Sequence, residues 1–298
     1  GVEGVRLSAM EVFNYYRAYI AAYYLKYLFN KVYLRAPMAV IILGLLDVLP
    51  STVSNVAIAI SIVFQAWQLV NLPLAQLRAP ILSRLHLQDD QAGMVKLQQV
   101  SISINALLAG LLAVGFLTMA EPVLLLLYGE AFSDASRWGS YAAVLGLIGS
   151  LFSLGNNTLQ QTERYRSQVQ GIVLSIVVSL SMVWYLVNQT GLADGFVVLL
   201  SLVTARVLFW LYTDMMADYY VFCFAGSIVK LRMFVAVMVV IAINGMIAGY
   251  MLHFIVDAVL GVLLLMAVFR LVGGIGEDNR ELFQGHLNRR YRLLLQLI

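Results

Sequence analysis

Residues 201–214, SLVTARVLFWLYTD, place an arginine in the middle of an apolar run. Leucine, valine and phenylalanine surround Arg206, and the apolar stretch that contains it covers residues 194–216. A run of about 20 apolar residues is long enough to cross the hydrocarbon core of a bilayer as a helix. A charge at that depth is costly and usually has a structural or functional partner. We therefore expect a membrane-spanning helix whose central cation does not face lipid.

The composition of the whole chain predicts the same class. Hydrophobic residues make up 61% of the sequence and charged residues only 12%, whereas a soluble domain carries about 25% charged residues. The apolar runs show no strand-like alternation, and a bilayer accepts only helices or closed barrels. We expect an all-α integral membrane protein that lies in the lipid bilayer and has no nucleic-acid partner. The single cysteine, Cys223, cannot form an internal disulfide.

We predict about eight transmembrane helices, at residues 35–50, 53–75, 95–119, 134–160, 165–187, 194–216, 228–250 and 254–272. Positive charge orients such a bundle, because lysine and arginine accumulate in cytoplasmic loops. With the N-terminus in the cytoplasm, the outside loops hold only Arg137, and Arg206 alone falls at mid-membrane. We therefore expect a multi-pass protein of the inner (cytoplasmic) membrane with both termini in the cytoplasm.

The predicted spans divide the chain into four parts. Residues 1–33 form an amphipathic linker, 34–220 a six-helix lobe, 221–273 two additional transmembrane helices, and 274–298 a basic cytoplasmic tail. Four tyrosines of the linker share one helical face, which favours an interfacial helix over a ninth span: Tyr16, Tyr19, Tyr23 and Tyr27. Between the third and fourth spans, Gly129 can end one helix and Ser133 or Asp134 can begin the next. The chain begins at Gly1 without an initiator methionine, and we expect it to start partway through a longer protein.

Three consecutive spans carry polar residues at helical spacing. They are Ser61, Gln65 and Gln68 in the second span, Gln98, Ser101 and Asn105 in the third, and Ser150, Ser153 and Asn157 in the fourth. Steps of three and four put each set on one helix face. Such a face either forms hydrogen bonds between packed helices or lines a wet cavity, and the pattern leaves both interpretations open.

Acidic residues in the spans also have two interpretations. Asp47, near the outer end of the first span, could pair with a cation or take a proton, or it could be a solvated helix end. Asp214 and Asp218 fall at a cytoplasmic helix end, where solvated acids are ordinary. They resemble part of the CDP-alcohol phosphotransferase signature, but Met215 stands where that pattern needs glycine. The three histidines lack metal-ligand spacing, and we expect no metal, no cofactor and no catalytic residues.

Three segments resemble a known family of transporters. PLAQLRAPILSRLHLQDDQAGMVKLQQ (73–99) resembles the loop after an apolar helix in bacterial polysaccharide flippases, with its proline, basic residue and acidic turn. LLLLYGEAFSDASRWGSYAAVLGLIGSLFSLGNNTLQQTERYR (124–166) resembles the helix pair that follows in that family, and EDNRELFQGHLNRR (277–290) resembles its basic tail. These flippases, including the O-antigen type, belong to the multidrug/oligosaccharidyl-lipid/polysaccharide exporter superfamily.

The resemblance implies a transporter with fourteen helices, arranged as two six-helix lobes around a cavity and a final pair. The eight helices here match the second lobe and that pair, so the N-terminal lobe is missing from this chain. The implied function is to flip an undecaprenyl-pyrophosphate-linked oligosaccharide across the membrane by alternating access, for polysaccharide or lipopolysaccharide biosynthesis. A multidrug or cation antiporter of the same superfamily, a membrane enzyme acting on lipid-linked sugars, and a structural subunit remain alternatives.

Arg206 is the central residue of the expected substrate site. It either faces the cavity and binds pyrophosphate through its planar fork, or it forms a structural pair with Asp47 or with backbone carbonyls. Trp210, one turn further along, could stack on a sugar ring. The full set of expected substrate-binding residues is Arg206, Trp210, Asp47, Gln65, Gln68, Asn105 and Asn157.

Overall fold

The computed structural model describes residues 9–29, 50–130, 133–189, 194–222, 224, 227–248 and 254–271. These residues are almost entirely helical and contain no strand, as the apolar runs predict. The helices are α1 Ala9–Leu28, α2 Pro50–Leu87, α3 Gln91–Tyr128, α4 Ser133–Phe152, α5 Leu154–Gln161, α6 Tyr165–Gln189, α7 Asp194–Ala217, α8 Ser227–Ala248 and α9 Phe254–Leu271. A π-helical turn, Asp218–Phe222, extends α7.

Among the described residues, four helices are long and apolar enough to cross a membrane: Val53–Leu87, Gln91–Tyr128, Tyr165–Leu186 and Ser227–Met246. The structure therefore fits an all-α membrane protein but does not give the eight spans that we expected. Only the last residue of the predicted span 35–50 is among the described residues. The whole of the tail 274–298 lies outside them. The predicted span 134–160 is interrupted at Ser153, and the eight residues of α5 extend only about 12 Å, too short to cross a bilayer.

Two helices are longer than the predicted spans. α2 and α3 have 38 residues each, about 57 Å at 1.5 Å per residue. The prediction ended α2 at residue 75 and expected a loop from Pro73, but the helix continues through Pro73 and Pro80. Both prolines are exposed, whereas the opposite face buries Leu74, Arg78 and Leu82. Packing of that face at four-residue spacing stabilises the helix where its two prolines cannot donate backbone hydrogen bonds.

Short turns connect the long helices. Asp90 caps α3, because its carboxylate accepts a 2.9 Å hydrogen bond from the Gly93 backbone N–H. α3 ends at Gly129, whose φ of +76° is one that side chains with a Cβ rarely adopt. α4 then begins at Ser133. The predicted stop at Gly129 is confirmed, and the described part of α4 begins at Ser133, one of the two starts that we expected.

The described helices pack around four apolar clusters, and the two with the most buried residues position the site. The first core joins α2, α4, α6 and α7, and includes Val63, Trp67 and Phe209. The second joins α3 to the final helix pair, α8 and α9, through Leu107, Val237 and Leu265. At this contact a methyl group on Gly110 would lie 3.0 Å from the Leu265 side chain. The predicted extra pair of helices is therefore packed directly against α3.

Candidate functional site

Aromatic and cationic side chains meet where α2 faces α7. The guanidinium carbon of Arg206 lies 4.0 Å from the centre of the Phe64 ring. The rings of Trp67 and Trp210 are 4.9 Å apart, and those of Phe64 and Trp210 are 6.0 Å apart. Arg206 and Trp210 are four residues apart and so lie on one face of α7. α2 and α7 therefore present one continuous aromatic surface with a cation on it.

This surface forms a wall of a cavity of about 360 Å³, within the range of about 300–1,000 Å³ that is usual for ligand sites. Four helices, α1, α2, α5 and α7, and the Ser153 turn contribute to it. The described residues that line it are Lys26, Phe64, Trp67, Gln68, Asn71, Leu72, Ala75, Ser153, Asn156, Asn157, Arg206, Phe209 and Trp210. The described lining holds two cations, several amides and no carboxylate, so it suits an anionic, hydroxyl-bearing ligand.

Arg206 is partly exposed within this structure, and its contact with Phe64 is a cation–π interaction. Such contacts contribute about 0.5–1 kcal/mol at exposed sites and about 2 kcal/mol when desolvated. Arg206 also lines the cavity, so the Phe64 ring helps to hold the cation at the cavity wall.

α5 supplies two of the amide groups of the cavity, and its position is fixed by close packing. Gly155 lies so near α7 that a methyl group on it would be 2.2 Å from the Cα of Asp214. α6 makes a second contact, in which the side-chain amide of Gln168 donates to the Asn156 carbonyl at 2.8 Å and to its Oδ1 at 2.9 Å. Because Asn156 and Asn157 both line the cavity, these contacts set the position of its polar wall.

Lys26 is the second cation of the cavity, and it comes from α1. Its ammonium donates a hydrogen bond to Oε1 of Gln160 at 3.2 Å, and burial lowers the pKa of Lys26 below its ordinary value. Sequence reasoning placed Lys26 among the cytoplasmic charges of the linker and missed this role. In the sequence Lys26 is only a lysine among tyrosines and leucines, and this pattern does not reveal a hydrogen-bond partner 134 residues away.

The structure brings together four of the seven expected site residues: Arg206, Trp210, Gln68 and Asn157 all line the cavity. Gln65 is exposed on α2, and Asn105 is fully buried in α3; neither is among the described lining residues. Asp47 lies outside the described residues, so its pairing with Arg206 stays a prediction.

The three polar stripes have different environments. Ser61, Gln65 and Gln68 lie on the exposed face of α2. Gln98, Ser101 and Asn105 are fully buried in α3, where the Ser101 hydroxyl donates to the Leu97 carbonyl at 2.7 Å. In the third set, from the predicted fourth span, Ser153 and Asn157 line the cavity. The α3 stripe is therefore buried among packed helices, whereas the stripes before and after it contribute to the cavity wall.

A buried cation network lies next to the cavity and was not predicted. Arg78, which we expected in a cytoplasmic loop, is only 2% exposed. It donates to the Leu154 carbonyl at 3.1 Å, to the Thr158 hydroxyl at 2.7 Å and to the Gln98 side chain. These bonds connect α2 and α3 to α5.

The two acids that we expected to be solvated are also buried. The ammonium of Lys230 lies 2.6 Å from Asp214 and 2.5 Å from Asp218, and all three side chains are at most 6% exposed. Our expectation was wrong because the first turn of α8 covers the end of α7. Lys230, counted among the cytoplasmic loop charges, instead ties α8 to the end of α7.

The described part of the chain holds no group of three or more His, Cys, Asp or Glu side chains that could bind a metal ion. Comparison of the sequence with protein-family models and with curated proteins, and of the fold with solved structures, finds no match.

Proposed function

We propose that the chain is the C-terminal half of a polysaccharide flippase, in which its transmembrane helices form the second lobe and the final pair. In this proposal both termini are cytoplasmic, a separate N-terminal lobe completes the transport cavity, and the substrate is an undecaprenyl-pyrophosphate-linked oligosaccharide. The lobes alternate access between the two leaflets of the cytoplasmic membrane, while the lipid tail stays in the bilayer. The chain carries out transport and not catalysis.

One observation carries the proposal: Arg206 and Trp210 line the same cavity as Lys26, and its described lining has no carboxylate. Cations suit pyrophosphate, and an arginine fork can donate two parallel hydrogen bonds to phosphate oxygens. Tryptophan presents an apolar face on which a sugar ring can stack, and the cavity amides suit hydroxyl groups. A multidrug or cation antiporter would bind positively charged substrates, which two lining cations repel.

The test is glycan export by the complete two-lobe transporter in cells, scored together with the amount of folded protein. We expect Arg206→Ala to fold normally and to lose most export, because the anion loses its main partner. Arg206→Lys keeps the charge without the fork and should be intermediate. Arg84→Ala is the matched control, because Arg84 is exposed on α2 outside the cavity, and it should export normally.

Two outcomes contradict the proposal. One is wild-type export by Arg206→Ala, which would show that the cation has no transport role. The other is loss of folded protein in Arg206→Ala, an equal loss in Asp47→Ala and no further loss in the double variant. That pattern would identify Arg206 as half of a structural ion pair.

A further inference from the structure

Two polar atoms on α2 have no hydrogen-bond partner within the described part of the chain although they lie at the cavity. They are the indole N–H of Trp67 and Oδ1 of Asn71. Both residues line the cavity, and each is only 9% exposed. A buried polar atom without a partner costs about 1–3 kcal/mol, so such a pair at a cavity wall indicates a ligand that supplies the missing bonds.

The two atoms are complementary to one chemical group. Trp67 and Asn71 are four residues apart, so they lie one turn apart on the same face of α2. The indole can only donate a hydrogen bond, and Oδ1 of Asn71 can only accept one. A hydroxyl both donates and accepts, so one sugar hydroxyl, or two on adjacent carbons, can satisfy both atoms. An ionised phosphate oxygen cannot, because it only accepts hydrogen bonds and therefore offers Asn71 no proton.

The surroundings orient such a sugar. The Trp67 ring lies 4.9 Å from the ring of Trp210, and Arg206 is one turn from Trp210 on α7. An anion held by Arg206 and Lys26 therefore places the attached sugar beside Trp67 and Asn71. This inference rests on the proposed function, since it assigns the sugar next to the phosphate to the same cavity.

We infer that Trp67 and Asn71 are specificity-determining residues that bind a hydroxyl of the sugar attached to the substrate phosphate. Replacing either polar atom weakens binding of a sugar phosphate but leaves binding of inorganic phosphate unchanged. Loss of one hydrogen bond to the sugar weakens the affinity for the sugar phosphate about five- to tenfold. The cations, in contrast, contribute to the binding of both anions.

The test is calorimetric titration of the purified, complete two-lobe transporter in detergent with glucose 1-phosphate and with inorganic phosphate as probes. Trp67→Phe keeps the ring and loses the N–H, and Asn71→Leu keeps the approximate shape and loses the amide. The matched control for Asn71→Leu is Asn55→Leu, because Asn55 is also buried on α2, also has an Oδ1 with no described partner, and lies outside the cavity lining. Trp184→Phe, on the exposed face of α6, is the control for Trp67→Phe.

We expect Trp67→Phe and Asn71→Leu to weaken glucose 1-phosphate about five- to tenfold with inorganic phosphate unchanged, and both controls to bind like the wild type. Suppose that both variants bind glucose 1-phosphate like the wild type, while Arg206→Ala binds neither probe. Water then satisfies the two polar atoms, so the inference is wrong and the proposed site stands. If the two variants lose the sugar phosphate but Arg206→Ala does not, the inference stands and the phosphate contact of the proposed function is wrong. Binding of neither probe by the wild type at millimolar concentration contradicts both.

Discussion

Gly155 on α5 is the position where the smallest change to a side chain has the largest predicted effect. The methyl group of Gly155→Ala would lie 2.2 Å from the Cα of Asp214, 2.6 Å from its backbone nitrogen and 2.7 Å from the Thr213 carbonyl oxygen. All three atoms belong to the backbone of α7, so no side-chain rotation relieves the overlap. Since carbon atoms pack at about 3.5–4.0 Å, α5 and α7 must separate by more than about 1 Å.

The cost of this separation can be set against a small gain. Overpacking of this kind costs about 1–3 kcal/mol and sometimes more, while alanine in place of a helical glycine contributes up to about 1 kcal/mol. The displaced helix also carries Thr158, which accepts from Arg78, and Asn156, which accepts from Gln168. Weakening of these buried hydrogen bonds adds to the loss, so we expect a net destabilisation of about 2 kcal/mol or more.

The assay is thermal stability of the purified protein in detergent, followed by the size-exclusion peak that survives heating. The matched control is Gly115→Ala on α3, where a methyl group would have no atom within 4 Å. We expect Gly155→Ala to lower the midpoint by several degrees and Gly115→Ala to leave it unchanged or raise it. A midpoint for Gly155→Ala equal to that of Gly115→Ala would refute the close approach of α5 to α7.

Two further predictions concern the buried ion pairs and the topology. Lys230→Met leaves two buried carboxylates without their cation, which should cost about 3–5 kcal/mol of stability and reduce the monodisperse size-exclusion peak. The control Arg232→Met, at an exposed neighbouring position, should leave that peak unchanged. A normal peak for Lys230→Met would contradict the buried network. For the topology, single cysteines replace Asn188 or Gln88 in a protein that lacks Cys223. An impermeant thiol reagent should label Asn188→Cys in intact cells and Gln88→Cys only after lysis. Equal labelling of the two would contradict the proposed orientation.

The sequence predicted helix positions well where an apolar run was long and uninterrupted. Six predicted spans coincide with a helix in the structure apart from small differences at their ends: 53–75, 95–119, 165–187, 194–216, 228–250 and 254–272. Helix ends were less predictable, because a proline removes one hydrogen bond but does not decide whether the opposite face is packed. α2 continues past Pro73 since Arg78 and Leu82 are buried beyond it.

The sequence by itself determined the class of the protein: its apolar content leaves helices in a bilayer as the stable form, and Arg206 stands out because charge is costly there. Only the tertiary structure decided which side chains meet. Lys26 bonds to Gln160, and Lys230 bonds to Asp214 and Asp218. The physical reason is that periodicity fixes which face a residue occupies on its own helix, whereas its partners depend on how close two helices pack. That distance is set by residues such as Gly155, which has no side chain that would mark it as important in the sequence.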